Sequence, residues 1–207
     1  VPLPVAERHD PAREDRRRRL YDLMEEAARY FVRQLQSGAG REARAYLDGR
    51  RLTDETIETF GLGFAPAGRH ALSQYLGDKG FTADDMAATG MLITGDDIAV
   101  PYDRFRNRIM FPIADAKGRV VAFGGRALSP DQPAKYLNSP ETPLFHKGHL
   151  LYNAHRARQA AFDAGTVLVV EGYMDAIALA QAHYPNVVAP LGTALTGDQL
   201  RLLWRMA

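Results

Sequence analysis

The chain has 207 residues, 46% hydrophobic and 25% charged, which suits one large or two small globular domains and argues against a disordered chain. It contains no cysteine, so disulfides and thiolate zinc sites are excluded within it, and no apolar run nears the ~20 residues of a membrane span. Net charge is only +1, but residues 101–158 hold ten Lys/Arg against four Asp/Glu, a basic middle suited to a polyanion.

Residues 1–15 carry three prolines and mixed charge, and read as a linker or tail without an apolar signal core. A cytoplasmic protein without a membrane partner is expected. From Arg16 to Gln36, Leu20, Leu23, Met24, Ala27, Tyr30, Phe31 and Leu35 recur at helical spacing and predict an amphipathic helix. Its start, Arg16–Arg19, is a solvated helix end or a nucleic-acid contact. Glu42–Gly49 reads as a second short helix, and Thr53 caps a third with Asp54 and Glu55 in its first turn. Gly61–Pro66 breaks the helical pattern, and Arg69–Leu76 and Thr82–Ala88 are two more short helices.

The texture then changes. Arg108–Ala114 and Val120–Gly125 read as strands joined by the turn DAKGR, with Pro112 predicting an edge or a bulge. Arg104, Arg106 and Arg108 would share one face if extended, towards phosphate or solvent. Gly124-Gly125 lets backbone approach closely before Arg126. The loops PAKYLNSPET and FHKG hold Lys135 and Lys147, two of only four lysines, as candidate point charges for phosphate.

Asn153 is read as the cap of a helix that Gly165 stops. Thr166–Val170 is a short buried strand, followed by Glu171-Gly172, an amphipathic helix with Asp175 in its first turn, a strand over 186–191, and a helix from Thr196. Glu171 falls at the carboxyl end of a parallel-sheet strand, where ligands sit in such sheets. Two carboxylates there suit a divalent metal and its phosphate, or are helix-start carboxylates that the macrodipole stabilises.

The string VVEGYMDAIAL resembles the first motif of the TOPRIM fold, and EGYMD the version in bacterial DnaG-type DNA primases. YLDGRRL (46–52), GLGFAP (61–66), DRFRNRIMFPI (103–113), GRVVAFGGRAL (118–128), KYLNSPETPLFHKG (135–148) and APLGTALT (189–196) extend the resemblance, in order, from about Leu20 to the last residue. It implies an α/β chain: an α+β amino-terminal subdomain with a small β-sheet (16–152), then a truncated parallel TOPRIM βαβα sheet (153–207). The activity implied is template-directed synthesis of short RNA primers from nucleoside triphosphates on single-stranded DNA. Glu171 and Asp175 are the implied catalytic and metal-binding carboxylates, for Mg2+ or Mn2+. Arg50, Arg126, Lys135, Tyr136, Asn138 and Lys147 are the implied nucleotide- and nucleic-acid-binding set.

The family's zinc module, its carboxy-terminal domain that binds the replicative helicase, and its DxD motif do not occur in these residues. Zinc is therefore expected only in a separate module, and the 207 residues alone are expected to be inactive. A nucleotide alarmone competing at the triphosphate pocket is a further expectation, from the overlap of Lys135, Asn138 and Lys147 with a phosphate site. The alternatives are a nucleic-acid-binding module with structural carboxylates, or a TOPRIM-type nuclease or other phosphodiesterase.

Overall fold

The structure is a computed structural model that describes residues 10–130, 132, 134–192 and 194–207. The tail reading for residues 1–9, and Pro133 and Thr193 within the quoted motifs, lie outside the described residues. Helix α1 spans Pro11–Gln36, starting five residues before the expected Arg16. Asp10 caps it, its Oδ1 accepting from Ala12 N at 3.1 Å, and Pro11 takes the first helical position, where its missing N–H costs nothing. The cap and proline override the mixed-charge look of residues 11–15. All seven apolar positions expected on its inner face are buried.

Helices α2 (Arg41–Gly49), α3 (Asp54–Thr59), α4 (Ala71–Asp78) and α5 (Ala83–Ala88) follow. GLGFAP does more than end a helix, because Gly63–Ala65 forms strand β1. Strands β2 (Leu92–Ile93) and β3 (Tyr102–Asp103) make a small ribbon. Strand β4 (Arg108–Ala114) pairs antiparallel with β1 on one side and with β5 (Val120–Ala127) on the other. Strand β6 (Tyr136–Asn138) completes the order β1-β4-β5-β6. Pro112 needs no donor partner because β1 pairs only with 108–110, and the register shift falls just beyond, at Ile113/Ala114.

α1 lies directly on this sheet. A Cβ on Gly63 would sit 2.5 Å from Phe31 Cβ, so only glycine allows the helix so close. Phe31 meets Phe123 edge-to-face at 5.2 Å, and the aromatic and aliphatic side chains between the layers form the main core.

The second sheet has the order β7-β9-β8: β7 (Leu151–Tyr152) antiparallel to β9 (Val187–Pro190), and β8 (Leu168–Val169) parallel to it. α6 (Ala154–Ala164), α7 (Tyr173–Gln181) and α8 (Gly197–Trp204) connect and flank these strands. β8 is shorter than the predicted Thr166–Val170 and is not buried, Val169 being 41% exposed, because it is the edge strand of the described sheet. Asn153 does not cap α6 with its side chain. It takes a left-handed backbone (φ 65°) and spends its amide on the Val187 carbonyl at 2.9 Å. One face of this sheet joins the main core through Tyr152, Tyr173, Ile177 and Ala189, and the other packs Val188 under Ala157, Ala161 and Leu203. No helix among the described residues is long and apolar enough to cross a membrane.

Candidate active site

Both parallel strands, β8 and β9, end at one cleft of about 510 Å3. Its acidic wall is Glu171 to Asp175, in the turn after β8 and the first turn of α7, and Pro190–Gly192, at the end of β9 and just beyond, also line it. The part of the chain that precedes α6 supplies the facing wall: Arg50, just after α2, with Lys135, Tyr136 and Asn138 on and before β6. Six of the eight predicted site residues are therefore brought together. The first-turn N–H groups of α7 also face this end of the sheet, and a helix N-terminus favours negative charge, whether carboxylate or phosphate.

Each residue has a local reason for its place. Glu171 and Asp175 are exposed, and Asp175 Oδ2 folds back to within 3.4 Å of where a Gly172 Cβ would stand. Tyr136, 43% exposed, offers a ring to the cleft, and burial of its hydroxyl pushes that group's pKa up. Asn138 is not a free hydrogen-bonding group. Its Oδ1 accepts from the Tyr173 hydroxyl at 2.7 Å, and its Nδ2 donates to the Leu191 carbonyl at 3.0 Å.

Arg126 and Lys147 do not line the cleft. Arg126 pairs across strands with Tyr136, its guanidinium 4.0 Å from the Tyr46 ring centre and its Nη1 donating to the Ala127 carbonyl at 2.9 Å. Lys147 sits at the end of the 139–147 loop, where its backbone N–H donates to Glu141 Oε1 at 3.0 Å and its carbonyl accepts from Gln199. Burial alone would raise the pKa of Glu141, but the bonds from Lys147 N–H and His146 hold it below the usual carboxylate range.

The three alternating arginines also fail to form a phosphate face, because residues 104–107 are not a strand. Arg104 donates to the Gly90 carbonyl, Arg106 lies over the Tyr102 ring, and Arg108 is buried with Nη1 on the carbonyls of Ala134 (2.8 Å) and Gly125 (3.3 Å). Gly124-Gly125 does permit close approach, but by protein. A Cβ on Gly124 would lie 2.6 Å from Tyr173 Cε2, and one on Gly125 2.9 Å from Phe105 Cδ1.

Two residues of the site escaped the sequence reading. Tyr173, between the two carboxylates, anchors the acidic wall, and Tyr46 holds Arg50, whose Nε donates to its hydroxyl at 2.8 Å. The i,i+4 spacing of Tyr46 and Arg50 was the available signal.

A strand-end cleft with carboxylates on one wall and cations on the other, joining a small antiparallel sheet to a mixed one, places the candidate site of this α/β core between its two sheets. The comparisons agree. A family model described as "DNA primase catalytic core, N-terminal domain" matches residues 30–158, and a Toprim domain model matches 165–207. The chain is 49% identical to the DNA primase of Pseudomonas aeruginosa over 188 residues, 90% of this chain and 28% of that protein. It is 46% identical to the DNA primase of Escherichia coli K12 over 189 residues, 91% of this chain and 32% of that protein. A crystal structure of a P. aeruginosa DNA primase domain matches with a TM-score of 0.85 at 49% identity, covering 91% of this chain and 59% of that one. A DnaG primase catalytic domain bound to single-stranded DNA matches at 0.83 and 44%, covering 93% and 60%. This chain belongs to the DNA primase catalytic-core family. It spans less than a third of the length of those two primases.

Proposed function

We propose that this chain forms the nucleotide- and metal-binding side of a primase active site, serving RNA primer synthesis on single-stranded DNA. The observation that carries this is the cleft in which Glu171 and Asp175 face Arg50 and Lys135 across the carboxyl ends of β8 and β9. We assign residues 16–152 and 153–207 to the amino-terminal and TOPRIM subdomains.

Nucleotidyl transfer brings a hydroxyl to a phosphate while pyrophosphate leaves, so negative charge must be held still and neutralised. Lys135 serves as a point charge on the triphosphate and Arg50 as a planar fork that binds two of its oxygens. Tyr136 offers a base a stacking face, in the manner of single-strand binding surfaces. Two carboxylates suit a hydrated divalent ion, which takes one or two carboxylates and completes its shell with water and phosphate. No group of three or more metal-ligating side chains occurs among the described residues, which fits that donor set and no dedicated cage. A Mg2+ or Mn2+ ion held by Glu171 and Asp175 would supply charge neutralisation and Lewis acidity to the phosphate. A cytoplasmic setting, template binding along the basic middle, and competition by a nucleotide alarmone at the Lys135 side belong to the same reading.

Titration of the chain with ATP, with and without Mn2+, tests it. Mn2+ is expected to tighten binding in the wild type but not in Glu171→Gln, and Lys135→Ala is expected to weaken binding about tenfold or more. Salt-dependent binding of single-stranded DNA with no ATP binding and no metal effect would replace this reading with a plain nucleic-acid-binding module.

A further inference from the structure

Arg50 and Arg126 come from different elements and carry the same charge, yet both rest on one ring. Arg126 lies over Tyr46 at 4.0 Å and Arg50 at 5.3 Å from the ring centre, and Arg50 Nε also donates to the Tyr46 hydroxyl. The ring is half-buried on α2, whose inward residues Ala43 and Leu47 pack into the core, so it is fixed from below. Arg126 in turn is the direct cross-strand partner of Tyr136, which lines the cleft, while its own Nε is buried without a partner among the described residues.

Two guanidiniums brought together repel, and an orphaned buried N–H costs stability. The aromatic face offsets part of that through its quadrupole, by about 0.5–2 kcal/mol per cation depending on desolvation. A freely solvated pair of arginines would spread apart, whereas one ring with a hydroxyl at its tip fixes both headings.

We propose that Tyr46 is a positioning residue of the primase cleft: its ring and hydroxyl pre-set Arg50 directly, and Tyr136 through Arg126, for an incoming polyphosphate. This rests on reading the cleft as a nucleotide site. The contribution is to preorganisation, since side chains already held lose less freedom when the ligand arrives.

The test is ATP affinity of the 207-residue chain in the wild type, Tyr46→Phe and Tyr46→Leu, each also in an Arg50→Ala/Arg126→Ala background. Tyr46→Phe keeps the ring and is expected to bind within about threefold of wild type, and Tyr46→Leu about tenfold weaker. In the arginine-less background Tyr46→Leu is expected to change nothing further, which a merely structural role would not produce. Wild-type affinity in Tyr46→Leu, or an equal loss with the arginines removed, overturns the proposal. If the wild type binds no ATP, the nucleotide reading itself has failed and this proposal with it. The platform is judged separately by NMR of the arginine Nε–Hε groups, which the ring should displace upfield in wild type and release in Tyr46→Leu. Identical Hε shifts in the two proteins overturn the platform whatever ATP does.

Discussion

The Tyr173 hydroxyl donates to Asn138 Oδ1 at 2.7 Å, and this bond joins the acidic wall of the cleft to the strand that carries Tyr136. Tyr173 stands between Glu171 and Asp175, with its ring stacked on Phe111 at 5.2 Å and edge-on to Tyr152 at 4.8 Å. Burial raises the pKa of its hydroxyl far above neutrality, so it is a permanent donor. The carboxylates are thereby fixed relative to Lys135 and Tyr136 by packing and one hydrogen bond, without either carboxylate taking part.

Tyr173→Phe keeps the ring and removes only the donor. It is expected to cost about 1 kcal/mol, since Asn138 Oδ1 is left half-buried and unpaired, and to lower Tm by roughly 2–4 °C in a chain of this size. Asn138→Ala strands the Tyr173 hydroxyl and the Leu191 carbonyl together, so about 2–3 kcal/mol is expected. Urea denaturation of the three proteins checks the order. A neutral Asn138→Ala would show that the junction is held by the aromatic stack alone.

Gly124 makes room for the same ring. A Cβ there would fall 2.6–2.8 Å from Cε2, Cζ and the hydroxyl oxygen of Tyr173. Gly124→Ala is expected to destabilise by roughly 1–3 kcal/mol, the range of overpacked cores, and to weaken ATP binding by shifting Glu171 and Asp175. Gly77→Ala, in α4 with nothing within 4 Å of the added methyl, is the control and is expected to stabilise by about 0.5–1 kcal/mol. Thermal melts of both variants, with ATP titrations, separate the two effects.

Much of this site was legible before the fold. Periodicity found the buried face of α1, and the strand-then-helix pattern placed Glu171 at a strand end and Asp175 one turn on. What it could not show was direction. Arg104, Arg106 and Arg108 read as one face towards phosphate or solvent only if extended, and alternation gives a face only inside a strand, whereas residues 104–107 are irregular. Lys147 looked like a clamp, yet a loop's path is set by its tertiary partners, and Glu141 and Gln199 hold the Lys147 backbone outside the residues that line the cleft. Tyr173 passed unnoticed because its importance is a contact with Asn138, 35 residues away.

The burial of Arg108 separates stability from binding. Arg108→Met removes the bonds to Ala134 and Gly125 while keeping an unbranched chain in the core. About 2 kcal/mol of stability should be lost with the two carbonyls, but single-stranded DNA affinity should keep the same dependence on salt. A phosphate-contacting arginine would instead reduce the slope of log K against log salt by about 0.7. Fluorescence anisotropy at several salt concentrations decides between the two roles.

His155 sets a pH dependence. It lies beside Gly118 of the β4–β5 turn, with Nε2 2.7 Å from Arg156 Nη1. Burial first, and Arg156 second, lower its pKa from 6.5 to about 4. The unfolded chain therefore takes up this proton at a higher pH than the folded one, so stability falls as pH drops from about 6.5 to about 4 and is fully retained above that window. Because the ring is only half-buried, a loss of about 2 kcal/mol is expected, less than the full shift would give. Asp85 and Asp115 act lower. Burial alone would raise their pKa values, but bonds from Arg19 and Thr82 to the first, and from Arg119 and Lys117 to the second, hold them below 3.8. Their stabilisation is lost only as pH falls below about 4. In His155→Gln the stability profile from urea melts should flatten between pH 4 and 6.5 and still drop below it. A profile that keeps its slope in that window would mean that the imidazole is protonated in the folded chain.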